Sequence, residues 1–564
     1  MLELTIQNSS AQFNLGNGMI TLLGKMLILL SIASGLLYST TGRYRPLFYF
    51  QATCIITSCL SLLYAFITND FSVQNVFFYS STKQPLIYKI GSLWGNHDSS
   101  LLFFASMMAV VSFISSFYIN NVSSIRLMSI ILAAMMMIIY CTSNPFVHIP
   151  HAAIEGLGMN PVLQDMAIAI HPPMLYLGYV TYIIPYVCFV GMLLSGKRDD
   201  MEIAYTASKF ALGCLTAGIS LGSWWAYREL GWGGYWFFDP VENISLIPWL
   251  VGIALHHSFM ITMRNGKLFS TTVALGIVNF LLILLGILIV RSGVLVSVHS
   301  FAAGIAGGKY IIGVFLALCA ASFAVYFARM KNISHEKFTF QEKGVITGNV
   351  VIIAATLCLM IGTFFPIIYQ LIKGVSISIS NQYFYYIFVP LALLMVILSV
   401  IIPRSTKNTA MILSHAGMAI LVIGIALNST LKQDIEFIGK IGATVQNGDV
   451  SVTLKNIRYS EGVNYYRQIG ELWIEQGNET VILKPENRLY RIENAVSAES
   501  DIYSFVGKDI YAVLGSLEDD KTLHANIYIR PWMSLIWLGM FLAAMGVFVS
   551  SVGNGMAFKK YAFI

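Results

Sequence analysis

His257 and His415 both fall inside long apolar runs, where an imidazole is costly to bury and reads as functional by default. His257 stands five residues before the end of the run 244–262, and His415 five residues after the start of the run 410–429. At about 1.5 Å per helical residue, both sit about 8 Å in from the same surface. Two imidazoles at one depth on different helices suit axial ligation of a buried haem; the alternative is two histidines hydrogen-bonded independently. His256 is about 100° round the helix from His257 and competes for the role. A second pair belongs to the opposite surface. His171 opens a helix as His171-Pro172-Pro173, where prolines suit a first turn, and His299 follows the run 271–291. His148 and His151, at i and i+3, lack the further ligands that a structural zinc site needs and read as surface residues.

Between these histidines in sequence lies the segment from Trp224 to Asn243, with four of the nine tryptophans and three glycines. Aromatic rings on a glycine-flexed backbone make a flat, polarisable surface that suits a porphyrin; the plainer reading is an interfacial aromatic belt. Trp224, Trp225, Trp232 and Trp236 are its candidate contacts. With His171 and His299 they would clamp a haem from both faces. Arg228 and Arg291 are candidates to pair its propionates. Asp239, Pro240 and Glu242 fall at the N-cap, N1 and N3 positions of the following helix and read as helix-start residues before a catalytic carboxylate pair.

The elements that must position these groups are membrane helices. Of the 564 residues, 56% are hydrophobic and 11% charged, against roughly 25% charged in soluble domains. Apolar runs of about 18–22 residues lie near 18–39, 46–68, 100–119, 126–142, 172–194, 207–225, 244–262, 271–291, 308–330, 347–369, 384–402, 410–429 and 531–552. The fold class is therefore a polytopic α-helical integral membrane protein of thirteen spans. Basic residues recur on one side, at Arg43 and Arg45, Arg126, Lys197 and Arg198, Arg264 and Lys267, Lys331 and Lys337, Arg404 and Lys407, and Lys559 and Lys560. By the positive-inside rule that side is cytoplasmic, which puts the N-terminus and the tryptophan segment outside and the C-terminus inside. The net charge of +6 reports orientation, not nucleic-acid binding. The first seventeen residues carry no positive n-region, so no cleavable signal is expected. All seven cysteines fall within or at the ends of apolar spans without a C-x-x-C, so neither a thioredoxin-like redox pair nor a haem-attachment motif is expected.

Two polar outer loops, 70–99 and 143–171, precede the tryptophan segment. Residues 431–530 alternate polar and apolar, with turns at Gln446-Asn447-Gly448-Asp449 and Gln476-Gly477-Asn478, which predicts a small β-rich extracytoplasmic domain. The chain thus divides into helical residues 1–430, the β-domain 431–530, and a last helix with a cytoplasmic tail, 531–564.

Several pieces of the chain together resemble the CcmF family, haem lyase subunits of cytochrome c maturation within the haem-handling superfamily marked by the WWD domain. They are Trp94-Gly95-Asn96-His97, the run from Gly158 to Asp165, the run from His171 to Tyr179, the run from Trp232 to Asn243, Arg291-Ser292-Gly293-Val294-Leu295, Ser414-His415-Ala416-Gly417, and Lys484-Pro485-Glu486-Asn487-Arg488. Tyr235 and Phe238 depart from the family by standing where Trp is usual. The resemblance implies haem attachment to apocytochrome c on the outer face, in a bacterial inner membrane, by addition of C-x-x-C-H thiols to the haem vinyl groups. It implies His171 and His299 as outer ligands of a transient substrate haem, and His257 and His415 as ligands of a resident b-type haem that keeps the substrate iron reduced. A single histidine precedes Ser258 in the family, which favours His257 over His256. The partners implied are the holo haem chaperone CcmE, apocytochrome c, the apocytochrome-binding and thioreduction subunits CcmH and CcmI, membrane lipid, and quinol as electron donor.

Competing expectations are a related WWD subunit for haem delivery or nitrite reductase maturation, a haem or proton transporter, and an assembly scaffold. The delivery subunits are shorter and lack the inner histidines. A transporter calls for ionisable residues in several spans, and apart from Lys25 few are evident.

Overall fold

A computed structural model describes residues 18–151, 153–291, 308–330, 336–375, 377–401, 408–518 and 521–553. His299 lies outside the described residues. The chain opens with α1 (Met19–Thr41), α2 (Arg45–Thr68), two short helices α3 (Gln74–Tyr79) and α4 (Leu86–Gly91), then α5 (His97–Ser115) and α6 (Val122–Thr142). Next come α7 (Met166–Thr181), α8 (Ile183–Ser195), α9 (Met201–Glu229), α10 (Pro240–Asn265) and α11 (Phe269–Arg291). After α12 (Gly308–Arg329), α13 (Phe340–Lys373), α14 (Asn381–Ile401) and α15 (Thr409–Leu431), ten strands lead to α16 (Met533–Gly553).

Twelve helical segments among the described residues are long and apolar enough to cross a membrane, one fewer than expected. The thirteenth, expected at 207–225, is the helix α9, but it carries Lys209, several Ser and Thr, and three glycines. Its buried residues run along most of its length. A helix enclosed by other helices has little need of the apolar surface that lipid demands. The 172–194 span is α7 and α8 together, begun at Met166 with Asp165 Oδ1 accepting from Ala167 N at 2.7 Å. His171 therefore stands within α7 and does not open it. Likewise α9 continues past the expected end of the 207–225 span, through Arg228 to Glu229.

Capping sets several of these ends. Asn96 accepts from the amides of Asp98 and Ser99 to start α5. Asp239 accepts from Val241 N at 2.9 Å while Glu242 accepts from Asp239 N at 3.0 Å, a capping box that starts α10 as expected. Small residues let helices close to backbone contact. A Cβ on Gly417 or Gly424 of α15 would strike the backbone of α16, and one on Gly539 would strike Leu421 N and Gly417 O of α15.

The strands all pair antiparallel: β1 (Gln433–Gly439), β2 (Thr444–Asn447), β3 (Val450–Glu461), β4 (Tyr465–Gln476), β5 (Glu479–Leu483), β6 (Glu486–Tyr490), β7 (Ala495–Glu499), β8 (Asp501–Ser504), β9 (Lys508–Leu517) and β10 (Leu523–Pro531). One sheet runs β1-β10-β9-β8; the other runs β2-β3-β4-β6-β7, with β5 beside β4. Alternate residues, among them Phe437, Val452, Leu472, Leu514 and Ile527, fill the core between the sheets, as a two-residue period requires.

Candidate functional site

The rings of His257 on α10 and His415 on α15 lie 6.4 Å apart, centre to centre, with planes 24° apart. Two imidazoles sharing one metal through bonds of about 2.0 Å have ring centres roughly 6 Å apart, and the separation here is of that order. Their protonation follows from their partners. Asn349 of α13 donates its Nδ2 to Ala254 O at 3.1 Å, which turns its Oδ1 to His257 Nδ1 at 3.2 Å. An amide oxygen only accepts, so Nδ1 carries the proton and Nε2 the lone pair. His415 Nδ1 donates to Met411 O at 2.9 Å, one turn earlier, with the same result. His256 differs: its Nδ1 is buried without a hydrogen-bond partner, and its ring stacks on Tyr205 at 5.9 Å. His256 thus lacks the side-chain partner that orients the His257 ring.

His171 repeats the pattern. Its Nδ1 donates to Gly218 O of α9 at 2.7 Å, which again leaves the lone pair on Nε2. The ring fits there because α9 lacks side chains beneath it. A Cβ on Gly222 would stand 2.5 Å from His171 Cε1, and one on Gly218 would stand 2.8 Å from the Leu175 backbone. Pro172 has no N–H to offer Ile168 O, the carbonyl it would otherwise bond. Trp94 Nε1 donates to that oxygen instead, at 2.8 Å. The Trp94 and His171 motifs, far apart in sequence, thereby form one local arrangement.

The four tryptophans separate by environment. Trp232 is 41% exposed and meets Phe237 edge-on at 4.7 Å. Trp236 is half-buried, with Phe238 edge-on at 6.4 Å. Trp225 is 2% exposed and packs with Met159, Leu163 and Ile168, so its ring serves the core. Trp224 lies under the Arg228 guanidinium, 4.8 Å from it. Phe238 adopts φ 54°, unusual for a residue with a Cβ, and stacks on Phe384 of α14 at 4.6 Å with planes 5° apart. It braces the segment instead of adding to its open face.

The two arginines are engaged. Arg228 pairs with Asp165 at 3.2 Å. Arg291 is buried and donates to His97 O and Ser100 Oγ, each at 2.7 Å, which ties the end of α11 to the start of α5.

The β-sandwich supports the tryptophan segment directly, which sequence reasoning missed. Arg530 of β10 donates its Nε to Gly233 O and pairs with Asp434 at 2.7 Å. Gly233, at φ 61°, lies so close to the Tyr528 ring that no side chain fits. Tyr227 donates to Asp509 Oδ2 at 3.1 Å, and Ser500 donates to Arg228 O at 2.6 Å. The segment Gly158–Asp165 docks the other edge: Gln164 donates to Glu493 and accepts from Asn464, both at 2.9 Å. Asn349 was also missed; a lone Asn inside the apolar run 347–369 was the available signal.

Charge concentrates at this junction. Burial, then the carboxylates of Glu499 and Asp165, push Glu229 up to about 9 against the pull of Arg228. Burial also raises Glu499, against the pull of Arg488, which it pairs at 3.3 Å. Asp509 is raised chiefly by burial.

Comparison with known proteins gives a consistent result. Residues 94–296 match the family described as cytochrome C assembly protein, and residues 431–531 match the CcmF C-terminal beta-sandwich. The chain is 30% identical to the cytochrome c-type biogenesis protein CcmF of Escherichia coli, over 86% of this chain and 88% of that one. It is 30% identical to CcmF of Pseudomonas aeruginosa, over 89% and 90%. The probable cytochrome c-type biogenesis protein NrfE of Escherichia coli is 32% identical over 87% and 91%. A solved structure, cytochrome c heme lyase CcmF, shares the fold with a TM-score of 0.76 at 18% identity, covering 96% of this chain and 99% of its own.

Proposed function

The chain belongs to the CcmF family of cytochrome c-type biogenesis proteins, and we propose from that premise that it promotes thioether attachment of haem to apocytochrome c at its outer aromatic segment, with a second, resident haem between His257 and His415. The observation that carries this reading is the shared form of His171, His257 and His415. Each donates Nδ1–H to an oxygen acceptor, which leaves Nε2 in the state that ligates iron.

A haem bound between His257 and His415 supplies one-electron redox chemistry near the bilayer interior. Asn349 and Met411 O set the orientation of its two ligands. At the outer site, His171 Nε2 receives the substrate iron, with His299 as the second ligand in this reading, and the exposed face of Trp232 receives the substrate ring. Holding the substrate vinyl groups still lets two cysteine thiols add across them: each forms a C–S bond while its proton passes to the neighbouring vinyl carbon. The chain contributes positioning, and the porphyrin carries the reactivity. Haem arrives from a chaperone and leaves on the cytochrome, so the open side of the segment must admit both partners.

Absorption spectra of the purified chain test the arrangement. His257→Ala or His415→Ala is expected to abolish a bis-histidine b-type spectrum, while His171→Ala retains it and abolishes cytochrome attachment. Equal behaviour of all three variants would refute a two-site protein.

A further inference from the structure

Lys209 is 1% exposed within the helical bundle, about two turns into α9. A buried ammonium is expensive unless an anion accompanies it. Among the described residues, its hydrogen-bond acceptor is a neutral oxygen, Ser550 O of α16 at 3.0 Å, and no carboxylate pairs with it. The ammonium also lies 4.6 Å from the centre of the Tyr205 ring. From Tyr205 a series of rings leads to the inner histidines: 5.9 Å to His256, 6.1 Å on to His257, and 6.4 Å on to His415. The cation, paired by no carboxylate among the described residues, is therefore linked through successive ring contacts to His257 and His415.

We propose that Lys209 is the counter-charge of the haem bound between His257 and His415, its ammonium taking one haem propionate inside the membrane. This rests on the reading of those two histidines as haem ligands. A haem carries two carboxylates, which are as costly to bury as a lysine. Seating the ligand beside an existing cation offsets both penalties at once. Lys suits the task because its flexible stem lets the head follow the carboxylate. The competing role is structural: the bond to Ser550 O satisfies a carbonyl in the last turn of α16. That role needs only a donor, whereas the proposed one needs the charge.

Lys209→Gln separates the two, since it offers an N–H to Ser550 O and removes the charge. The full chain is purified with its haem as wild type, Lys209→Gln and Lys209→Arg, and titrated reductively from about pH 6 to pH 9, a range in which an unpaired buried carboxyl can titrate. A cation beside the haem favours the added electron, so the Gln variant should keep its bis-histidine spectrum and shift to lower potential. Its propionate, left unpaired, should also take up a proton on reduction and make the potential pH-dependent. The Arg variant should follow wild type. A Gln variant with wild-type potential and pH profile would overturn the assignment of Lys209 alone. A wild-type chain without a bis-histidine spectrum would overturn the reading of His257 and His415, and this proposal with it.

Discussion

Gly222→Ala is the most discriminating single substitution at the outer site. The added Cβ would stand 2.5 Å from His171 Cε1, 2.9 Å from Nδ1 and 3.1 Å from Nε2. Non-bonded carbon atoms rest about 3.5–4.0 Å apart, so the ring must withdraw by about 1 Å. Its bond to Gly218 O is 2.7 Å long, and the withdrawal takes it beyond hydrogen-bonding range. The stability cost is modest, roughly 1 kcal/mol for one neutral hydrogen bond, and Ala itself favours the helix over Gly by about 1 kcal/mol. The two nearly cancel, so the protein should remain folded. The functional cost is larger, because a misplacement of about 1 Å at a reacting group reduces rate on the order of 100-fold. Haem staining of a co-expressed c-type cytochrome measures attachment, and the spectrum of the purified chain reports the inner site. Attachment should fall about 100-fold while the inner spectrum and melting temperature stay unchanged. Full attachment by Gly222→Ala would refute the role of His171, and loss of the inner spectrum would refute the independence of the two sites.

Asn349→Leu removes the group that orients His257 and should weaken inner haem retention by about 10- to 100-fold, as read from the haem-to-protein ratio after purification. Arg530→Met deletes the bonds to Gly233 O, Gln433 O and Asp434; it should lower the melting temperature by an amount equivalent to about 1–3 kcal/mol and reduce attachment while sparing the inner spectrum. Glu229 predicts a pH dependence of stability. Its pKa is raised on folding, so the folded state holds its proton more tightly than the unfolded chain does. That contribution is complete below about pH 4.5 and is lost as pH climbs towards about 9. Thermal melts across that window should show stability falling, and Glu229→Gln should flatten the dependence. An unchanged slope would remove Glu229 from the junction's proton balance, in which Asp165, Glu499, Arg228 and Arg488 also take part.

Apolar runs, a two-residue alternation over the last hundred residues before α16, and the Asp239-Pro240-Val241-Glu242 start of α10 carried the architecture in the sequence itself. Each depends on local physics: lipid demands apolar length, a sheet with one buried face demands alternation, and a helix start demands acceptors for its free amides. Position along a span likewise suggested a common level for His257 and His415, whose rings lie 6.4 Å apart. Tertiary structure alone decided the rest. That α9 could be less apolar than its neighbours followed from its enclosure by other helices, and Trp225 was spent on the core by the same packing. The clearance under His171 depends on Gly222 of another helix, and the proton on His257 depends on an amide 92 residues away. Gly233 O is held by an arginine 297 residues later. Such contacts leave one letter each in the sequence, because what they contribute is direction, and direction exists only once the helices and the sandwich have closed on one another.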